Sequence, residues 1–189
     1  MSIGSFGYDE FIEKVVAFHG SVAPGMIAGG FMVDIALESL PPGDFFDVIC
    51  ETSHCLPDAV QLLTPCTIGN GWLKIVSTGR FAVIFYEKYT GRGIRIFIDS
   101  TRLELWDEIR TWFFRSTPKH QQNSGLLQKQ LKEAGNTIYS IEQVQVKDVY
   151  LSNKERVFTA ITLCPSCGEA YPENLGVPCP ACAGRGPCE

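Results

Sequence analysis

The chain moves between stretches with helical spacing and short apolar runs with strand character. Phe11, Ile12, Val15 and Val16 recur at helical intervals within residues 9–18. His19-Gly20 closes that helix in the manner of a glycine stop. Pro24 opens a second helix at its first turn, which continues to about residue 40 and meets Pro41-Pro42-Gly43. Residues 45–51 read as a strand, and residues 57–63 as a short helix opened by Pro57 and closed by Pro65. Gly69-Asn70-Gly71 is a turn ahead of a strand over residues 72–76. Residues 81–86 and 94–98 form two further strands, with Gly91-Arg92-Gly93 as the hairpin between them. Asp99 or Ser100 caps a helix over residues 101–114, with Leu103, Trp106, Ile109 and Phe113 on one face. Another helix, residues 125–134, stops at Gly135, and strands over 144–151 and 157–163 end the core. Helices first, then strands and helices mixed, then a closing hairpin: the order predicts an α+β fold with a mixed β-sheet flanked by helices.

Composition changes near Thr162. Beyond it the chain is rich in Cys, Pro and Gly and has few large apolar residues, so it cannot build its own core. The division expected is a core domain over residues 1–160 and a cysteine-rich module over 161–189. With 45% hydrophobic and 20% charged residues the bulk of the chain is globular. A net charge of −5 argues against a general nucleic-acid binder. The apolar stretch 26–37 is interrupted by Asp34 and falls short of the ~20 residues a membrane span needs. No Lys or Arg precedes Lys14, so a secretion signal is not expected. These features predict a cytoplasmic protein without a membrane partner.

Eight cysteines in such a setting read as metal ligands or reactive thiols rather than disulfides. Cys164-Pro-Ser-Cys167 and Cys179-Pro-Ala-Cys182 are two Cys-x-x-Cys pairs, each followed closely by glycine. Two intervening residues let one turn present both sulfurs to one ion, and four thiolates close a tetrahedral zinc site with no open position. Such a site contributes ~10–16 kcal/mol, enough to fold a segment without a core. From Leu163 onward Glu169, Glu173 and Glu189 face only Arg185, so this module is not expected to bind phosphate backbones.

A second group is less regular. Cys55 precedes the helix opened by Pro57, where the positive helix end favours a thiolate. Cys66 lies past the other end of that helix, and His19 ends the first helix against a tight turn. His19, Cys55 and Cys66 could together supply one nitrogen and two sulfurs to a soft ion, or serve as catalytic candidates. Each also has a plain reading, since buried Cys is common in cores and His suits a helix C-terminus. Cys50 reads as a core thiol, His54 and His120 as solvated residues, and Cys188 as a free surface thiol.

The stretch from Glu51 to Gly71 resembles the family named after the E subunit of formylmethanofuran dehydrogenase, at Cys55, Asp58, Ala59, Gln61, Thr64, Cys66, Thr67, Gly69 and Gly71. The likeness runs from about Asp9 to Cys182 and includes the C-terminal zinc finger. It implies an α+β core joined to a treble-clef-like finger, and a cytoplasmic, anaerobic setting linked to methanogenesis-type one-carbon metabolism. The named enzyme reduces carbon dioxide on a pterin-bound molybdenum or tungsten in other subunits; no pterin or iron–sulfur site is read here. The resemblance therefore implies an accessory or metal-handling protein with subunits of a molybdenum/tungsten oxidoreductase as partners. The family pattern His-Gly-His-x-Cys-Pro-Gly stands here as His19-Gly20-Ser21-Val22-Ala23-Pro24-Gly25. Ser21 and Ala23 replace two family donors, and Pro65 replaces a glycine, so a weak or empty core metal site is expected.

Residues 26–37, with Gly29 and Gly30, read either as core or as the interface of a homodimer. The competing functional reading is a stand-alone thiol- or metal-dependent enzyme using His19, Cys55 and Cys66.

Overall fold

The computed structural model describes residues 1–40, 46–151 and 159–188. The chain divides into two units, Met1–Ser152 and Asn153–Glu189. A short antiparallel pair, β1 (Ser2–Ile3) and β2 (Phe6–Gly7), leads into α1 (Tyr8–His19). Phe11 and Val15 are buried on its inner side, while Val16 and Phe18 face solvent. Gly20 ends the helix at φ +84°, a left-handed value glycine adopts without cost, and its N–H reaches the carbonyl of Val16.

The next helix, α2 (Pro24–Ser39), is buried on almost every side. Met26, Ile27, Ala28, Phe31, Met32, Val33 and Ala36 are all at or below 2% exposure, so the apolar run 26–37 is core within one chain. Along it Asp34 and Leu37 are partly exposed, and Glu38 and Ser39 exposed. Its glycines allow close contact: a Cβ at Gly29 would lie 2.8 Å from that of Ala59. Asp34, the polar break in the run, accepts the Gly4 N–H at 2.6 Å, and burial raises its pKa.

The main sheet comprises β3 (Phe46–Cys50), β4 (Leu73–Ile75), β5 (Ala82–Glu87), β6 (Arg92–Ile98) and β7 (Tyr139–Gln145), in the order β4-β3-β5-β6-β7. The β3–β4 pair is parallel and the other pairs are antiparallel. Alternation along the strands sends Val48, Cys50, Val83, Phe85, Ile94 and Ile96 into the main core, whereas Ile49 and Tyr86 join Val146 in a smaller cluster. The remaining helices are α3 (Leu56–Leu63), α4 (Asp107–Phe113) and α5 (Ser124–Ala134). The architecture is the expected mixed α+β sheet flanked by helices.

Four expectations from the pattern are corrected. The helix over 101–114 is broken: Asp99 caps only a short turn over Ser100–Arg102, and α4 starts at Asp107, where Gln130 from α5 accepts the N–H groups of Glu108 and Ile109. The last strand of the main sheet is residues 139–145 rather than 144–151; its sequence is mostly polar because it is an edge strand. Arg92 and Gly93 belong to β6, not to the hairpin turn, and a Cβ at Gly93 would strike the Phe85 carbonyl and Tyr86. Of the strand expected over 157–163, the described part does not close the main sheet. Residues 157–158 lie outside the described residues, and β8 (Ile161–Leu163) pairs antiparallel with β9 (Ala170–Pro172) in the second unit. There Tyr171 is buried with Cys164 and Cys179. Among the described residues no helix is long and apolar enough to cross a membrane.

Candidate functional site

In the second unit the chain turns tightly after each Cys-x-x-Cys pair. Gly168 and Gly184 both adopt φ +78°, Gly168 N–H bonds the Cys164 carbonyl, and Ala183 N–H bonds the Cys179 carbonyl. The ligand atoms of Cys164, Cys167, Cys179 and Cys182 lie within 4.8 Å of one another, the sole such group among the described residues. Cys167 and Cys179 sulfurs are 3.9 Å apart. Tetrahedral bonds of ~2.3 Å to zinc place sulfurs about 3.8 Å apart, so the residues fit the ion. The N–H of Cys179 donates to the Cys164 sulfur at 3.4 Å. Amides of Cys179, Cys167 and Ser166 hold the Cys164 thiol down at about 6, while hydrogen bonding with Cys167 and Cys179 pushes Cys182 up to about 12. Concentrating negative charge among four sulfurs is stabilised by a cation, and this is a structural zinc site.

In the first unit, Cys55 is the residue that opens α3, and it holds an unusual φ of +53°. Its carbonyl accepts the N–H groups of Asp58 and Ala59. Its sulfur lies 3.9 Å from Nε2 of His19, and Nδ1 of His19 is 2.7 Å from Oδ2 of Asp58. Gln61 holds the other Asp58 oxygen at 3.5 Å. The helix end does not lower the Cys55 thiol as expected. Burial raises its pKa and the charge of Asp58 adds to this, with Lys119 acting in the opposite sense.

Cys66 does not join them. It is fully buried, its sulfur points at the Phe46 carbonyl 3.6 Å away, and burial pushes its thiol up to about 11. The grouping of His19, Cys55 and Cys66 is thus corrected to His19, Cys55 and Asp58. Asp58 stands three residues after Cys55, in the first turn of α3, and that spacing was the signal for it. The other residues of the 51–71 motif build a loop. Asn70 Oδ1 accepts the N–H groups of Thr67 and Trp72, Asn70 Nδ2 donates to Pro65, and the Cys66 N–H donates to Thr64. Cys50 is a core thiol pushed up to about 12 by burial, and His54, His120 and Cys188 are exposed.

An α+β core with a mixed sheet, followed by a four-cysteine finger, defines a two-module protein. Residues 18–148 match the family described as "FmdE, Molybdenum formylmethanofuran dehydrogenase operon", and residues 155–189 match the "FmdE treble clef zinc finger". The chain belongs to the FmdE family. It is similar over its whole length to a tungsten formylmethanofuran dehydrogenase FmdE-like protein from Syntrophus aciditrophicus, with 46% identity, a TM-score of 0.90 and full coverage of both chains. It is also 31% identical over 97 residues to a "Probable S-adenosyl-L-methionine-binding protein" of Archaeoglobus fulgidus, covering 47% of this chain and 26% of that protein. The chain thus spans about a quarter of that curated relative.

Proposed function

We propose that the protein is an accessory or metal-handling partner of a molybdenum- or tungsten-dependent one-carbon enzyme, acting in the cytoplasm. The observation that carries this reading is the full-length likeness to the FmdE-like protein of Syntrophus aciditrophicus, finger included, at 46% identity. Two features are consistent with a supporting role. The zinc site has all four positions filled by thiolates, so its metal shapes the finger rather than reacting. In the core, Ser21 and Ala23 stand where the family pattern has two donors beside His19, which argues against metal chemistry of the protein's own at that site. The partner is the pterin-bearing catalytic subunit of such an enzyme, and the chain assembles as a homodimer.

The test is size-exclusion chromatography of the zinc-loaded full chain with a purified catalytic subunit of a molybdenum or tungsten formylmethanofuran dehydrogenase. Co-elution supports the reading, and separate elution of the two at concentrations well above cellular levels overturns it. Light scattering of the chain alone reads the homodimer directly.

A further inference from the structure

His19, Cys55 and Asp58 come from two helices far apart in sequence, yet they stand in a line: sulfur, imidazole, carboxylate. Nδ1 of His19 is hydrogen-bonded to Asp58 at 2.7 Å, which selects the tautomer with its proton on Nδ1. Nε2 is then left as an acceptor facing the Cys55 sulfur at 3.9 Å. A nucleophile, a base within reach and a group orienting the base is the arrangement by which proteins activate a thiol, and it is often loose before substrate arrives. The His19 side chain is 22% exposed and that of Asp58 38%, so the line is open to small molecules.

The surroundings narrow the chemistry. Cys50 and Cys66 are free thiols buried in the core, and the Cys66 sulfur lies at the Phe46 carbonyl. The Cys55 sulfur faces His19, so the line is a single-thiol site. The sulfur packs against the first turn of α2: a Cβ at Gly25 would lie 3.0 Å from it and 3.6 Å from Phe81. That 16-residue helix has no side-chain cap at its N-terminus. Pro24 has no N–H and the Met26 and Ile27 N–H groups bond the Ala23 carbonyl, so it is the helix dipole and the Lys119 charge that also acts on Cys55, not free amides, that suit an oxyanion formed beside the sulfur. Phe81 and Trp112, in edge contact at 5.9 Å, supply an apolar wall.

We propose that Cys55 is a nucleophilic thiol that attacks an electrophilic acyl carbon, in a thioester or activated ester, with His19 as its base and Asp58 as the residue that positions His19. The Cys55 proton passes to Nε2 of His19 as the carbon–sulfur bond forms. The oxyanion collapses, the bond to the leaving group breaks, and His19 returns the proton to that group. Water, deprotonated by His19, then releases the acid from the acyl-Cys55 and restores the thiol. No oxidant or metal enters. This does not depend on the accessory role proposed above, so failure to bind a catalytic subunit leaves it standing, and its own failure leaves that role standing.

The experiment uses the full zinc-loaded chain and p-nitrophenyl acetate. The expected result is a burst of about one p-nitrophenolate per chain, with the acetyl group found on Cys55 by peptide mass spectrometry. His19→Gln slows the burst at least tenfold, a typical contribution of a general base being ~10²–10⁴. Asp58→Asn slows the burst and Asp58→Glu, which keeps a carboxylate toward Nδ1 of His19, restores most of it; a purely structural Asp58 leaves the burst rate of the folded Asp58→Asn protein unchanged. The charged and titratable groups facing Cys55 are His19, Asp58 and Lys119. Iodoacetamide labelling of Cys55, which needs only the thiol and its base, is run on the same proteins. Absence of a burst, acetyl only on Cys188, or equal labelling of Cys55 in wild type and His19→Gln overturns the proposal.

Discussion

A methyl group at Gly25 would lie 2.8 Å from the Cβ of Cys55, closer than two such atoms approach. Neither side can yield easily, since α2 is packed into the core and Cys55 is fixed at φ +53° by the turn that opens α3. Gly25→Ala should lower stability by about 1–3 kcal/mol, read as a drop in the urea midpoint. The same substitution should change the rate at which Cys55 reacts with iodoacetamide. Unchanged values in both would show that the two helices are not locked at this point.

Among the described residues the finger has no core of its own beyond Tyr171 and two cysteines. Metal analysis of the full chain should find one zinc, lost in Cys167→Ser. That variant should expose the finger to protease, because zinc binding of ~10–16 kcal/mol is the folding energy of this module. A second tightly held equivalent that survives in Cys167→Ser would place an ion in the core and contradict the loss of donors at Ser21 and Ala23.

Glu51, 5% exposed, is bonded to Arg95 at 2.7 Å, to Arg80 at 2.7 Å and to Thr78 at 2.9 Å. Burial alone would raise its pKa, but the hydrogen bonds from Arg95 and Thr78 and the two positive charges outweigh it, and the pKa is lowered. Glu51→Ala leaves the Arg95 guanidinium, 12% exposed, without its main partner and should cost about 3 kcal/mol or more. Arg80 is 62% exposed, and Arg80→Ala should cost less than about 1 kcal/mol. Equal effects in chemical denaturation would refute the assignment of Arg95 as the dominant partner.

Asp99 ties the end of β6 to β7. Its carboxylate accepts from Thr101 and from Ser140, and these hydrogen bonds hold it at about 2, below the ordinary 3.8. A group depressed in the folded state contributes stability above its unfolded value, and that contribution is lost as pH falls through the folded value. The advantage of wild type over Asp99→Asn should therefore be full at pH 5 and shrink between about pH 4 and pH 2, measured as thermal midpoints. A gap that stays constant across that window would rule out this role for Asp99.

Much of the fold is legible in the chain because local signals and burial agree. Pro24 and Pro57 mark helix starts, Gly20 a helix stop, and strands β3, β5 and β6 are apolar runs. Where the reading failed, a distant partner decided. Residues 139–145 are polar in sequence and become a strand because β6 pairs with them. The helix expected over 101–114 starts late because Asp99 holds a turn and Gln130 caps α4 from another helix.

The site divides the same way. The zinc ligands are spaced so closely that local turns bring their sulfurs together, so Cys164, Cys167, Cys179 and Cys182 could be named from sequence. Helical content, the zinc module and the family motif were likewise determined by residue order alone, since each depends on neighbours a few positions away. Only the tertiary structure set His19 beside Asp58, 39 residues on, turned Cys66 into the core, and buried the apolar run of α2 inside the protein. Those outcomes follow from packing between elements distant in the chain, where burial and hydrogen-bond geometry, not local preference, choose which side chains meet.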